Sequence, residues 1–146
     1  MGQQQLLLLV LGVVLVGIAV VVGIEYFDEN RLKAHSDSEY YMIIDFATRA
    51  QTWKATPQLL GGGDNGNPAD FSGFTVELIG LRKSGGPDTT PFVNIPGSGC
   101  FRFFANDDGL RINALNEECV IGSWTKGLDI TGLTAEDLVW EFREEP

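Results

Sequence analysis

The residues of this chain that could do covalent or metal chemistry are few. Cys100 and Cys119 enclose 18 residues; in an oxidising compartment they would form a disulfide, and closing such a loop contributes about 3 kcal/mol in the chain-entropy model. The alternative is a pair of buried thiols. Their spacing gives no zinc motif, since there is no CxxC and the only histidine, His35, is distant in sequence. Asp64, Asn65, Asn67 and Asp70 offer oxygen ligands in a glycine-rich stretch, but they depart from the calcium-loop pattern DxDxDG. No serine sits in a GxSxG elbow, GSGC at Gly97 to Cys100 ends in a cysteine expected to be paired, and HExxH and P-loop patterns are absent. An enzyme is therefore not expected, nor a cofactor or a metal. The hydroxyls of Ser72, Ser84, Thr89, Thr90 and Ser98 could carry O-linked sugars, whereas the sequence holds no Asn-x-Ser/Thr sequon.

The elements that would position these residues follow from an uneven chain. It has 146 residues and a formal charge of -10, with its ten Lys and Arg scattered, which argues against nucleic acid as a partner. The first residues read MGQQQLLLLVLGVVLVGIAVVVGIEYF. Leu6 to Ile24 carries no charge over 19 residues, which as a helix spans about 28 Å, close to the hydrocarbon thickness of a bilayer. A cleavable secretory signal would show a basic start, a shorter apolar core and a small-residue cleavage site, so the segment reads as a retained helix. Myristoylation of Gly2 is disfavoured by Leu6 at the position that wants Ser or Thr. No Lys or Arg precedes the span, while Glu25, Asp28 and Glu29 follow it, so the positive-inside rule has nothing to hold on the N-terminal side. A basic leader cut away before Met1 would account for this; a gene starting at Met1 is the other reading.

Beyond Ile24 the chain turns polar and keeps a helical rhythm through Phe27, Leu32, Ile43, Phe46, Ala47, Ala50 and Trp53. Pro57 and Gly61-Gly62-Gly63 end it. The expected helix covers about residues 1–56, on the order of 80 Å if straight. Ser36-Asp37-Ser38 is its weakest place and could cap a new start. GGGDNGNPADFSG, from Gly61 to Gly73, reads by composition as a flexible loop. Strand candidates follow at 74–81, 101–105, 110–115, 120–124 and 138–142, with NDDG at Asn106 to Gly109 as a hairpin turn. Alternation in LRINAL predicts one covered face, with Ile43 to Trp53 as the cover. The fold class is α+β: a long N-terminal helix, apolar in its first half and half protruding, with a small antiparallel β-sheet packed on its C-terminal half. The parts are 1–24, a hydrophobic helix half; 25–56, an amphipathic half; and 57–146, a globular β-rich domain.

This layout of short polar start, apolar helix half at Leu6 to Ile24, amphipathic half at Glu25 to Ala55, glycine-rich loop, small sheet and late cysteine pair resembles the type IV pilin family, including the pilin-like subunits of type II secretion systems. The resemblance covers the whole chain in layout, and its diagnostic part is the N-terminal third. The family commonly carries glutamate at mature position five, where this chain has Gln5, and often a mid-helix proline, absent here; Gly12, Gly17 and Gly23 could give local flexibility instead. Family members lose a short basic leader to a dedicated peptidase and leave the membrane to form helical filaments cored by these helices.

The resemblance implies a structural subunit of an extracellular pilus-like filament, inserted in the cytoplasmic membrane before assembly. Its partners would be copies of itself, the inner membrane, the prepilin peptidase and the assembly machinery. Candidate filament-core residues are Met1, Gln3, Gln4, Gln5, Leu6, Leu9, Val13, Val16, Val20 and Ile24. The glutamine amides would either pair between neighbouring helices or lie in a solvated first turn. Glu25, Asp28, Glu29, Arg31 and Lys33 read either as intersubunit charges or as a solvated face. Tyr26, Phe27, Tyr40, Tyr41, Phe46 and Trp53 read as packing residues, not an electron path. The alternatives are a minor pseudopilin-type component of a secretion machine and a membrane-anchored monomeric periplasmic binding domain.

Overall fold

A computed structural model describes residues 2–87, 90–115, 119 and 124–142. One helix, α1, runs Gly2–Ala55, and five strands follow: β1 Phe92–Ile95, β2 Gly99–Ala105, β3 Leu110–Leu115, β4 Trp124–Ile130 and β5 Leu138–Phe142. The chain divides into two compact units, Met1–Asp37 and Ser38–Pro146. In the first, the residues described are helical throughout, and the helix continues through Ser36-Asp37-Ser38, which caps no new start.

The second unit is an α+β body. Its strands form one antiparallel sheet in the order β1-β2-β3-β4-β5, each paired with its neighbour in sequence. The register places Phe101 opposite Ala114, Phe103 opposite Ile112, and Ile112 opposite Leu128, so these side chains share the face that meets α1. From the helix, Ile43, Phe46, Ala47 and Ala50 are buried, at spacings that line one face. The Phe46 ring centroid lies 5.1 Å from Phe101, edge to face, and 5.7 Å from Phe103. Ala47 and Ala50 carry only methyl groups, which lets the helix backbone come close to the sheet.

The segment between helix and sheet completes the core and differs from the strand expected at 74–81. Val76–Ile79 is a single 3₁₀ turn closed by Gly80 at φ 81°. In such a turn residues three apart share a side, and Val76 and Ile79 are both buried while Glu77 and Leu78 face solvent. A strand would have buried Val76 with Leu78. Phe71 and Phe74 join the same core, and Phe74 packs at 5.6 Å on Trp53.

The strands at 101–105, 110–115 and 138–142 stand where the sequence places them, with β2 starting at Gly99. Of the candidate at 120–124, Val120 to Ser123 lie outside the described residues, and Trp124 opens β4, which extends to Ile130. That strand escapes pattern reading because it contains Gly127. A Cβ there would lie 2.8 Å from Asn113 Oδ1 and 3.3 Å from the Trp124 ring, so the glycine is needed for the Asn113 side chain across the pair. β1, a four-residue run between Pro91 and Pro96, is not among the strands that the sequence predicts.

Cys100 and Cys119 are joined by a disulfide, with Cα atoms 5.5 Å apart. Cys119 holds φ at 56°, in the left-handed region. On the outer face, Arg111 donates to both carboxylate oxygens of Asp129 at 2.6 Å and to Glu141 at 2.6 Å. The hydrogen bonds that it donates to Asp129 lead in holding the guanidinium above its ordinary pKa.

Truncating Phe101→Ala is expected to cost about 3–5 kcal/mol, by loss of burial and by the cavity left under Phe46. It should appear as a lower urea midpoint with an unchanged slope in equilibrium unfolding.

A second expectation concerns pH. The Thr134 hydroxyl, and then its backbone N–H, hold the Asp137 carboxyl below its ordinary value of 3.8. A depressed carboxylate contributes stability that is complete above the unfolded value and is lost as pH falls through the folded one. Unfolding midpoints measured at descending pH should therefore drop less steeply in Asp137→Asn than in the unaltered protein below about pH 4.

Candidate functional site

In the first unit the feature that demands explanation is exposed hydrocarbon. From Leu6 to Ile24 every large apolar side chain is at least half exposed, and no residue of the apolar window is buried. The helix is long and apolar enough to cross a membrane. Such a surface is not stable facing water, at about 25 cal/mol per Å² of apolar area, so lipid or protein must cover it.

The expected core residues Leu6, Leu9, Val13, Val16, Val20 and Ile24 follow three- and four-residue steps along one side of the helix. They are no more distinctive than the rest of the turn: Leu9 and Leu8 are each 67 % exposed, and Val16 is 64 %. A helix apolar all round is one that is covered all round. The demand therefore falls on the whole circumference and not on one stripe. Gln3, Gln4 and Gln5 occupy the first turns and are exposed; Met1 lies outside the described residues.

The charged segment that follows is partly self-satisfied. Lys33 donates to Glu29 at 2.8 Å, an exposed pair one turn apart, worth a few tenths of a kcal/mol at most, about 0.3–0.5. Glu25, Asp28 and Arg31 form no ion pair among the described residues. These three keep their capacity for a partner.

In the second unit the charges are arranged differently. Glu39, 7 % exposed, accepts from Lys126 at 2.9 Å, which joins α1 to β4. Lys54, 2 % exposed, is in the last turn of α1, where a cation suits the helix dipole. Its ammonium donates to Gly63 O at 2.6 Å and to Asn65 Oδ1 at 2.7 Å, with the Phe71 ring centroid 6.0 Å away.

The loop that receives Lys54 is the one whose composition suggested flexibility, and it is closely bonded. Asp64, Asn65, Asn67 and Asp70 each accept a backbone N–H two residues on, the turn-forming habit of these side chains. Gly63 donates to Trp53 O at 3.0 Å and Phe71 to Asn106 O at 2.8 Å, tying both ends of the loop down. At Gly62 a Cβ would run into the Thr56 carbonyl and at Gly63 into the Trp53 ring, so close approach explains both glycines. The four oxygen-bearing residues serve this folding. Among the described residues no group of three or more His, Cys, Asp or Glu side chains could hold a metal ion.

A groove of about 740 Å³ runs over the outer sheet face between Phe104, Arg111, Asn113 and Trp124. Of the two arginines that line it, Arg111 is already paired with Asp129 and Glu141, and Arg102 donates to the Thr90 hydroxyl at 3.2 Å.

The long apolar N-terminal helix followed by an antiparallel sheet is consistent with pilin-like architecture. Comparison with protein-family models, with curated proteins and with solved structures finds no match.

A charge placed mid-span tests the membrane reading of Leu6 to Ile24. Val16→Arg should raise the apparent free energy of insertion by about 2.5–3.5 kcal/mol, measured by the fraction inserted into microsomes, while Leu32→Arg should leave it unchanged.

Proposed function

We propose that this chain is the structural subunit of an extracellular pilus-like filament, held in the cytoplasmic membrane by Leu6 to Ile24 before assembly and polymerising through the same helix. The observation that carries the reading is hydrocarbon exposed on every side of the helix, with no proline between it and the amphipathic residues that pack on the sheet. A simple tether commonly reaches its domain through a Pro- or Gly-rich linker, and here the backbone stays helical to Ala55. Helices apolar all round can exchange lipid for one another, and heterologous contacts that do not close on themselves extend into a fibre. The resemblance to type IV pilins points the same way.

On this reading the subunit is non-catalytic. Its partners are other copies, the inner membrane, a leader peptidase and an assembly machine. Gln3, Gln4 and Gln5 enter the filament core, where their amides must find hydrogen-bond partners on neighbouring helices, because unpaired polar groups in an apolar interior are costly. Glu25, Asp28 and Arg31 supply charge for contacts between copies.

Electron microscopy of material sheared from cells tests the proposal. Filaments containing this chain are the expected result, with yield sharply reduced in Gln5→Leu and with looser filaments at high salt. A stable monomer in mild detergent, with no polymer on cells, would replace the filament reading with that of a membrane-anchored domain.

A further inference from the structure

Two leucines of the second unit have no use inside it. Gln58–Leu60 is a 3₁₀ turn just past the end of α1, and none of its residues is buried. Leu59 is 99 % exposed and Leu60 77 %. The turn is nevertheless fixed. Leu60 N–H donates to Pro57 O at 2.9 Å, Gly61 N–H to Gln58 O at 3.0 Å and Gly62 N–H to Pro57 O at 3.1 Å, and Gly61 closes it at φ 83°. A slack loop could fold its leucines back onto the body, whereas this one holds them out. Leu60 lies beside Thr52, Trp53 and Leu78, and Leu78 is itself half-exposed, so the apolar patch is on the side of the body that α1 occupies. Contiguous exposed hydrocarbon of this kind marks a place where another surface binds.

A second apolar feature is on the opposite side. Phe104, Arg111 and Asp129 alternate along their strands with Phe103, Ile112 and Leu128, which face α1, so the groove they line opens on the outer face. Phe104 and Trp124 wall it, and the exposed Val139 of β5 completes the lining. Charge decides what such a groove can receive. The chain carries a formal charge of -10, and identical acidic bodies repel one another. Contact between copies is least opposed where neither surface has net charge. Residues 57–63 are uncharged, and in the groove Arg102 and Arg111 balance Asp108 and Asp129.

We infer that the Leu59–Leu60 turn of one copy seats in the outer-face groove of the next. The inference rests on the polymer proposed above and adds to it a contact between folded bodies. Turn and groove lie on opposite sides of one sheet, so the contact is heterologous: a copy that offers its turn forwards keeps its groove behind it. A two-fold pair cannot satisfy both copies, because it would have to set the helix side of each against the outer face of the other. Repetition therefore extends the array. Leucines seated against Phe104 and Trp124 leave water, and a turn already held by its backbone hydrogen bonds loses little freedom in docking.

Photo-crosslinking of the full-length chain tests the contact, on cells and in mild detergent, with Leu59 replaced by p-benzoylphenylalanine. Irradiation should give covalent dimers whose joined peptide maps to residues 102–115 or 124–139 of the other copy. Leu60→Glu and Val139→Lys should each lower that yield about tenfold, and the double variant should recover most of it through the new pair of opposite charges. Recovery is a result that damage to folding would not produce, and both sites are exposed in the single subunit. Filaments in which Leu59 is joined to another surface, or in which neither variant alters the yield, would overturn the contact and leave the filament reading standing. The mapped cross-link in detergent, with no filaments on cells, would uphold the contact and remove the polymer. No cross-linked dimer in either setting would overturn the contact.

Discussion

Phe46 meets Phe101 edge to face and Phe103 at a tilt because the residues beside it on the helix, Ala47 and Ala50, are too small to hold the helix away. That single docking decides much else in the second unit. A ring inserted between two strand aromatics sets the height of the helix over β2 and β3. The remaining space at the flank must be filled, and Phe71, Phe74, Val76 and Ile79 fill it from the connecting segment. The loop is therefore long because it returns apolar side chains to the core, not because it is slack.

The same docking explains why charges are buried at two places on one helix face. Glu39 and Lys54 lie on the register of Ile43, Phe46 and Ala50, so each is carried under the body together with the apolar residues. Each meets a prepared partner: Lys126 from β4 for the acid, and two oxygens of the loop for the base. A buried charge is tolerated only in such company. The first unit shows the opposite regime, in which apolar residues are exposed and ions sit on an open helix surface. One chain thus contains a helix segment designed to be covered by its own sheet and another that has no covering of its own.

The sequence made the helix, the hairpin at Asn106 to Gly109 and the strands β2, β3 and β5 readable, because alternation and turn chemistry there agree with burial. Phe101, Phe103 and Ile112 needed only the period of two. The misses have separate physical causes. Val76 to Ile79 has a strand's composition, but Gly80 supplies a left-handed stop that tightens it into a turn. Gly127 disguises β4, because its purpose appears only when Asn113 is seen across the pair. The role of Lys54 escapes pattern reading because a lysine at a helix end is ordinarily solvated, and its cage comes from a loop whose composition alone suggests slack. For the N-terminal helix, the sequence already carried the essential point, that hydrocarbon there has no cover within the chain.

The strand order has a consequence for how the body comes to exist. Because every strand pairs with the next in sequence, almost all sheet contacts are short in contour length, and the cost of closing each loop is small. The meander can form by successive hairpins, whereas docking Ile43 to Lys54 and returning Phe71 to Asn106 join residues far apart in sequence. Pairing of the strands therefore does not depend on what covers Leu6 to Ile24.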